Sequence, residues 1–395
     1  MKPLSRLARG IAPSATLAID SLAKQMKADG IDVIGIGAGE PDFDTPEFIK
    51  EAGIEAINNN KTRYTPAVGT VSLRKAICDS LKKNGLDYKP SQICVTSGAK
   101  HNVYVTLQVL LSEGDEVILP APYWVTYYEA IKMAGGIPVV VQTSEEDNFK
   151  ISPERLQEVI TDKTQCIILT NPSNPTGMLY SKDELAALAE VIVKNDIYVL
   201  SDEIYDFLTY TGECVSIASL GEEIKKRTVI VNGVSKTYAM TGWRIGYTAC
   251  SDEIAKIMAN YLSHSTGNPS TISQVAAEVA YSKDSADIYE MKKAFDERRK
   301  HFVERVNKIE GVSCLEPDGA FYIFMNIKEQ IGRTLYGMEI KTSDDFAACL
   351  LKHGLVAVVP GSAFGTDGYL RWSYAVSMEN IDEGLDRLEK FLREE

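Results

Sequence analysis

Along residues 46–250 the hydrophobic pattern repeats one unit: a short apolar run, a turn rich in Gly, Pro or Asn, then apolar positions spaced i, i+3, i+4. The apolar runs are QICVTS (92–97), DEVILP (115–120), IPVVVQT (137–143), QCIILT (165–170), IYVLSD (197–202), TVIVNG (228–233) and IGYTAC (245–250). Such runs, apolar on successive positions and rich in Val and Ile, read as strands of a sheet covered on both faces. Stretches such as KDELAALAEVIVKN (182–195) read as the amphipathic helices that cover it. The alternation predicts an α/β fold with a large, mostly parallel central sheet flanked by helices.

After residue 265 the pattern changes. A long charged helix over IYEMKKAFDERRKHFVERVNKIEG (288–311) leads to short strands in FYIFMNI (321–327), LVAVVP (355–360) and YLRWSYAV (369–376), then to a terminal helix in NIDEGLDRLEKFLREE (380–395). We expect a large domain over 46–295, and a smaller α/β domain formed by 1–45 together with 296–395. The length of 395 residues accommodates both.

Charge and composition narrow the ligand. The formal net charge is −13 and no Lys/Arg block is sustained, so nucleic acid and anionic membrane surfaces are poor partners and a small molecule fits better. Seven widely spaced cysteines without a C-x-x-C read as buried free thiols, and four scattered histidines offer no zinc spacing, so no metal is expected. The first residues, MKPLSRLARGIAPSATLAID, hold only short apolar stretches broken by Pro13, and no run of 18 apolar residues occurs; the reading is a cytoplasmic protein.

In open parallel sheets, ligands bind beyond the carboxyl ends of the strands. Four such ends carry polar residues: Gly98-Ala99-Lys100 after QICVTS, NPSNPTG (171–177) after QCIILT, Asp202-Glu203-Ile204-Tyr205 after IYVLSD, and Ser235-Lys236 after TVIVNG. Each has an ordinary explanation. Asn-Pro and Thr-Gly pairs make turns, an Asp after a strand caps a helix, and lysines are common on surfaces. Their occurrence in this order, followed by MTGWRIGY (240–247), is what singles them out.

With GAGEPDFDTP (37–46), RYTPAVG (63–69), PYW (122–124) and Arg371, these motifs resemble the class I aminotransferases of pyridoxal 5′-phosphate (PLP) fold type I, across nearly the whole chain. PSATLAI (13–19) and SGAKHNV (97–103) are closest to the bacterial aspartate enzymes of that class. The resemblance implies that Lys236 holds PLP as a Schiff base and, once freed, moves a proton as base and acid. That task requires an amine whose pKa is depressed by nearby positive charge and desolvation. It implies further that Asp202 keeps the pyridine nitrogen protonated, that Asn174 and Tyr205 bond the ring's phenolate oxygen, and that Trp124 stacks on the ring. Backbone N–H groups of Gly98, Ala99 and Lys100, with Ser235 and Arg244, would take the phosphate. Tyr64 resembles a tyrosine that reaches the phosphate of a neighbouring subunit, which implies a homodimer with shared active sites.

For the substrate, the resemblance assigns the α-carboxylate to Arg371, as a fork that lysine cannot reproduce, and to the backbone of Gly39. Trp124 and Asn174 line the same space. A distal carboxylate falls to Lys100 with the hydroxyls of Ser14 and Thr16, which implies aspartate as amino donor and 2-oxoglutarate as acceptor. Aromatic, alanine, kynurenine or prephenate-accepting relatives, a PLP C–S lyase and the effector part of a transcription regulator are the alternatives. Ala12 departs from relatives that carry a lysine before the Pro-Ser-Ala-Thr run, which weighs against prephenate, and His101 replaces a common glutamine.

Overall fold

The computed structural model describes residues 2–394. A helix over Ala15–Ala28 leads to a short strand β1 (Ile34–Gly35), and helices Glu47–Asn58 and Val71–Lys83 precede the main sheet. Its strands are β2 (Ile93–Thr96), β3 (Glu116–Ala121), β4 (Ile137–Gln142), β5 (Thr164–Thr170), β6 (Tyr198–Asp202), β7 (Thr228–Gly233) and β8 (Gly246–Ala249), each inside the apolar run that predicts it or within a residue of it. They form one sheet in the order β2-β8-β7-β6-β5-β3-β4. Every residue of β2, β7 and β8 is buried, as two covered faces require. The edge strand β4 is more open and carries Pro138, whose missing N–H an edge tolerates.

One strand departs from the parallel expectation. β8 runs antiparallel to both β7 and β2. No crossover helix lies between β7 and β8, so the chain turns back beside β7 instead of re-entering the sheet in parallel. Helix boundaries follow local chemistry. Ser181 and Glu184 form a reciprocal capping box at the start of Lys182–Lys194. The long charged helix is Ala286–Val306, so residues 307–311 of the predicted helix lie beyond its end.

The C-terminal part has its own sheet. β9 (Tyr322–Asn326) is followed by the hairpin strands β10 (Thr334–Leu335) and β11 (Met338–Glu339), then β12 (Val356–Ala357), β13 (Val359–Pro360) and β14 (Tyr369–Ser373). The order β13-β14-β9 is antiparallel, and β1 from the N-terminal segment pairs in parallel with β12. Ile34 and Ile36 accordingly share a core with Phe302, Trp372 and Leu385. Helix Ala286–Val306 reaches two cores: Ile288 packs with the main-sheet cluster, while Met291, Phe295, Phe302 and Val306 pack with the C-terminal one.

All seven cysteines are unpaired, six of them buried and Cys214 partly so. Among the described residues, no helix is long and apolar enough to cross a membrane, and no group of His, Cys, Asp and Glu is placed to hold a metal ion.

Candidate active site

Because six strands are parallel, their carboxyl ends share one edge of the sheet, and antiparallel β8 brings its beginning to the same edge. Lys100 after β2, Trp124 after β3, Asn174 after β5, Asp202 at the end of β6, Ser235 and Lys236 after β7, and Arg244 before β8 therefore converge on a cavity of about 470 Å³. Ala99, Tyr205, Gly39, Thr16, Arg371 on β14 and Tyr322 on β9 also line it. Of the sequence-predicted residues, Gly98 stands just behind this wall, and Ser14 and Tyr64 lie outside it.

The Lys236 ammonium faces the cavity and donates to the Gly39 carbonyl at 2.5 Å. Burial brings its pKa down to about 8; Arg371 and Arg244 act in the same direction and Glu40 opposes them. Both causes expected from sequence are present, and desolvation is the larger. Asp202 is buried, and its pKa is pushed up to about 6 by that burial. The rise is held back by hydrogen bonds from the Tyr127 hydroxyl (2.7 Å) and the Ile204 N–H (3.2 Å), and by the charge of Lys236.

Arg371 is 2 % exposed, an unusual burial for a guanidinium. Nη1 donates to Asn174 Oδ1 at 3.0 Å and Nη2 to the Gly37 carbonyl at 2.7 Å, while the ring of Tyr322 lies 4.4 Å from Cζ. Nε has no hydrogen-bond partner. Neither acceptor on Arg371 carries a charge, so this buried cation lacks an anion, and a carboxylate entering the cavity supplies one. Tyr205 and Tyr322 share a hydrogen bond at 2.8 Å between their hydroxyls.

The anion site is built at the start of helix Ala99–Leu110. Gly98 precedes it with φ +92°, a conformation that favours glycine, and the Arg244 guanidinium packs where a Cβ would stand. Arg244 itself sits in the left-handed region (φ 56°) and donates to the Thr241 carbonyl at 2.8 Å and that of Ser97 at 3.4 Å. The Gly98 N–H is already committed to the Thr96 carbonyl at 2.8 Å. The N–H groups of Ala99 and Lys100 have no backbone acceptor at the helix start.

Lys100 places its ammonium 5.0 Å from the Trp124 ring centroid, and burial together with Arg244 lowers its pKa. The Ser14 and Thr16 hydroxyls bond each other at 2.9 Å; Thr16 lines the main cavity, whereas Ser14 lines a neighbouring one of about 620 Å³. Lys100 and Arg244 border both, and His101 and Ala12 border the second. Burial lowers the His101 pKa, and its Nδ1 has no partner. Tyr64 is 97 % exposed and lies outside both cavities.

Among the lining residues that the sequence reading does not single out are Tyr127, Tyr322 and Glu40. Tyr127 had a legible signal. It stands three residues after Trp124 at a helix start, a spacing that sets the two rings on one face, and they meet edge to face at 5.3 Å. Tyr322 comes from β9 and meets Tyr205 only through tertiary packing. Glu40 lies inside the GAGEPDF run, and its carboxylate accepts from Thr241 Oγ1 at 3.0 Å.

The donor set fits PLP. A desolvated carboxylate at one end suits a pyridinium N–H. A half-buried lysine with lowered pKa suits an imine link. Two open helix-start N–H groups with Ser235 and Arg244 suit a phosphate dianion, and the Trp124 face suits the ring.

Comparison with known proteins agrees with this geometry. The family model for aminotransferase class I and II matches residues 31–388. The chain is 48% identical over 391 residues to an aspartate aminotransferase of Bacillus subtilis strain 168, covering 98% of each. It is 46% identical over 397 residues to a probable aspartate/prephenate aminotransferase of Aquifex aeolicus strain VF5, covering 100% of this chain and 99% of the relative. Among solved structures, the aspartate aminotransferase from Rhizobium meliloti matches with a TM-score of 0.95 at 40% identity, over 100% of this chain and 99% of that one.

Proposed function

The chain belongs to the aminotransferase class I and II family and uses PLP, and we propose that it moves the amino group of L-aspartate to 2-oxoglutarate, giving oxaloacetate and L-glutamate. One observation carries the choice of substrate. Of the cations that line the cavity, Lys24 is paired with Asp20, and Lys236 and Arg244 are read as cofactor residues; the buried Arg371 guanidinium and the Lys100 ammonium remain, and a dicarboxylic amino acid has one carboxylate for each. The likeness to the B. subtilis aspartate aminotransferase supports it.

When bound, PLP supplies the electron sink that lets the Cα of an amino acid release its proton. The chain's own groups do the rest. Arg371 and Asn174 grip the α-carboxylate and set the substrate's orientation. Asp202 holds the ring nitrogen protonated. Lys236 Nζ, with a pKa of about 8, offers a sizeable neutral fraction near that pH and can take the Cα proton and return it. Two keto acids and two amino acids share one site in turn, so ping-pong kinetics follow.

The test is a donor panel with 2-oxoglutarate as acceptor. Aspartate should exceed tyrosine and alanine in kcat/KM by about tenfold, the equivalent of one well-made charge interaction. Equal or reversed rates would remove the role of Lys100. Prephenate belongs in the acceptor arm because the A. aeolicus relative bears that name and an aromatic-lined cavity with Tyr104, Tyr123 and Tyr128 adjoins Lys100. A Lys236→Ala variant should lose the visible absorbance of bound cofactor and nearly all turnover.

We also read the active unit as a homodimer in which Tyr64, unused in its own chain, reaches the phosphate region of the partner. Residues 46–295 would form the large domain, and 1–45 with 296–395 the small one. Seven unpaired cysteines support a reducing, cytoplasmic setting.

A further inference from the structure

Lys236 and Arg244 stand at the two ends of one loop between β7 and β8, and the backbone between them holds two non-glycine residues in the left-handed region, Ala239 (φ 49°) and Arg244 (φ 56°). Such residues persist where their surroundings hold them. One side chain from outside the loop does this at two points. The Thr45 hydroxyl donates to the Ala239 carbonyl at 2.7 Å and accepts from the Trp243 indole N–H at 3.1 Å, using its single proton and a lone pair to bridge positions four residues apart. Trp243 is seated in turn on helix Glu47–Asn58, where a Cβ on Gly53 would approach its ring to 2.8 Å.

The segment carrying Thr45 is itself tied to both sides of the cavity. The Gly39 carbonyl accepts from Lys236, and Glu40 accepts from Thr241. On the other side Asp42 pairs with Arg298 at 2.7 Å, and Phe43 packs edge to face on Phe295 at 5.4 Å, both on helix Ala286–Val306. Thr45 therefore lies where residues 37–46 leave the long helix and grip the loop.

We propose that Thr45 is a positioning residue: its hydroxyl fixes the loop so that the Lys236 amine and the Arg244 guanidinium are set together for the cofactor. This rests on the reading of Lys236 as the cofactor lysine. The geometry distinguishes the hydroxyl from the rest of the side chain, since valine keeps the shape and loses both hydrogen bonds, while serine keeps both.

The experiment measures, for parent, Thr45→Val and Thr45→Ser, the dissociation constant of PLP from apoprotein and the pH midpoint of the bound cofactor's visible absorbance. In Thr45→Val, which loses both hydrogen bonds, the dissociation constant should rise about tenfold, and the midpoint should move. Thr45→Ser should stay within about twofold of the parent. The proposal is overturned if valine binds like the parent with an unmoved midpoint, or if serine is as damaged as valine. Should the valine variant fail to fold, Trp243 replaced by 3-benzothienylalanine, which keeps the fused ring against Gly53 and removes the indole N–H, takes its place: weaker PLP binding supports the bridge, and parent-like binding overturns it. A parent without visible cofactor absorbance would remove the reading of Lys236, and the proposal with it.

Discussion

At Asp202, burial favours the neutral acid while a phenol and a backbone N–H favour the carboxylate. The function needs the carboxylate, because a neutral acid cannot hold the cofactor's ring nitrogen protonated. Tyr127 is therefore part of the chemistry although it touches the carboxylate from behind, also bonding Thr170 Oγ1 at 2.9 Å. Removing its hydroxyl withdraws a donor from the charged form alone, so the Asp202 pKa rises and the acid limb of kcat/KM moves to higher pH. For Tyr127→Phe we expect a shift of roughly 0.5 to 1 pH unit, the equivalent of one hydrogen bond, with activity near pH 8 little changed. A limb that stays in place would show that Tyr127 only packs. Asp202 was legible in the sequence because a polar residue at a strand end is conspicuous. Tyr127 was not singled out because one tyrosine on an amphipathic helix looks like core until the carboxylate facing it is known.

The residue that follows β6 is a second buried acid. Glu203 is buried, accepting from Ser201 Oγ (2.9 Å) and Ser216 Oγ (2.6 Å), and burial raises its pKa from 4.5 to about 7. A group whose pKa is raised on folding binds its proton more tightly in the native state. Its contribution to stability is full below the unfolded value and is lost as pH climbs through the folded one. Between about pH 4.5 and 7 Glu203 should therefore cost the apoprotein on the order of 3 kcal/mol. Glu203→Gln keeps an oxygen for both serines and cannot ionise. Urea unfolding at pH 5 and pH 8 should show the variant gaining on the parent only at pH 8; an equal difference at both would refute the assignment. At this scale the sequence was informative about which residues form strands, since apolar runs bounded by turns report burial directly. It was silent on the direction of β8 and on the neighbours of each strand. Those depend on pairings such as Val95 with Tyr247, which no local pattern encodes.

Across the whole molecule, helix Ala286–Val306 joins the two cores, and the boundary expected near residue 295 falls inside it, where Ile288 faces one core and Phe295 the other. A linker search by composition finds nothing there because the connection is a continuous helix. Arg299 anchors it. Although only 1 % exposed, it donates to Asp296 at 2.7 Å, to Glu316 at 2.7 Å and to the Pro317 carbonyl at 2.9 Å, with Tyr210 beneath it at 5.3 Å. The turn it holds continues to Asp318 and Gly319, whose N–H groups bond the Gly177 carbonyl at 3.0 and 2.9 Å, in the loop that carries Asn174. The helix, the turn before β9 and the substrate loop thus form one connected path. In Arg299→Met the methylene stem is kept and the carbonyl of Pro317 is left without its donor. Asp296 retains Lys300 and Glu316 is partly exposed, so the carboxylates are spared most of the penalty. The loss should be that of one buried carbonyl left without its donor, about 1 to 3 kcal/mol. Urea unfolding followed by tryptophan fluorescence measures it. Cofactor absorbance, read in the same samples, should fall at lower urea than in the parent, because the loop bearing Asn174 loses its support from the C-terminal core. A cost below about 1 kcal/mol would mean that packing around the helix, and not this guanidinium, joins the two cores.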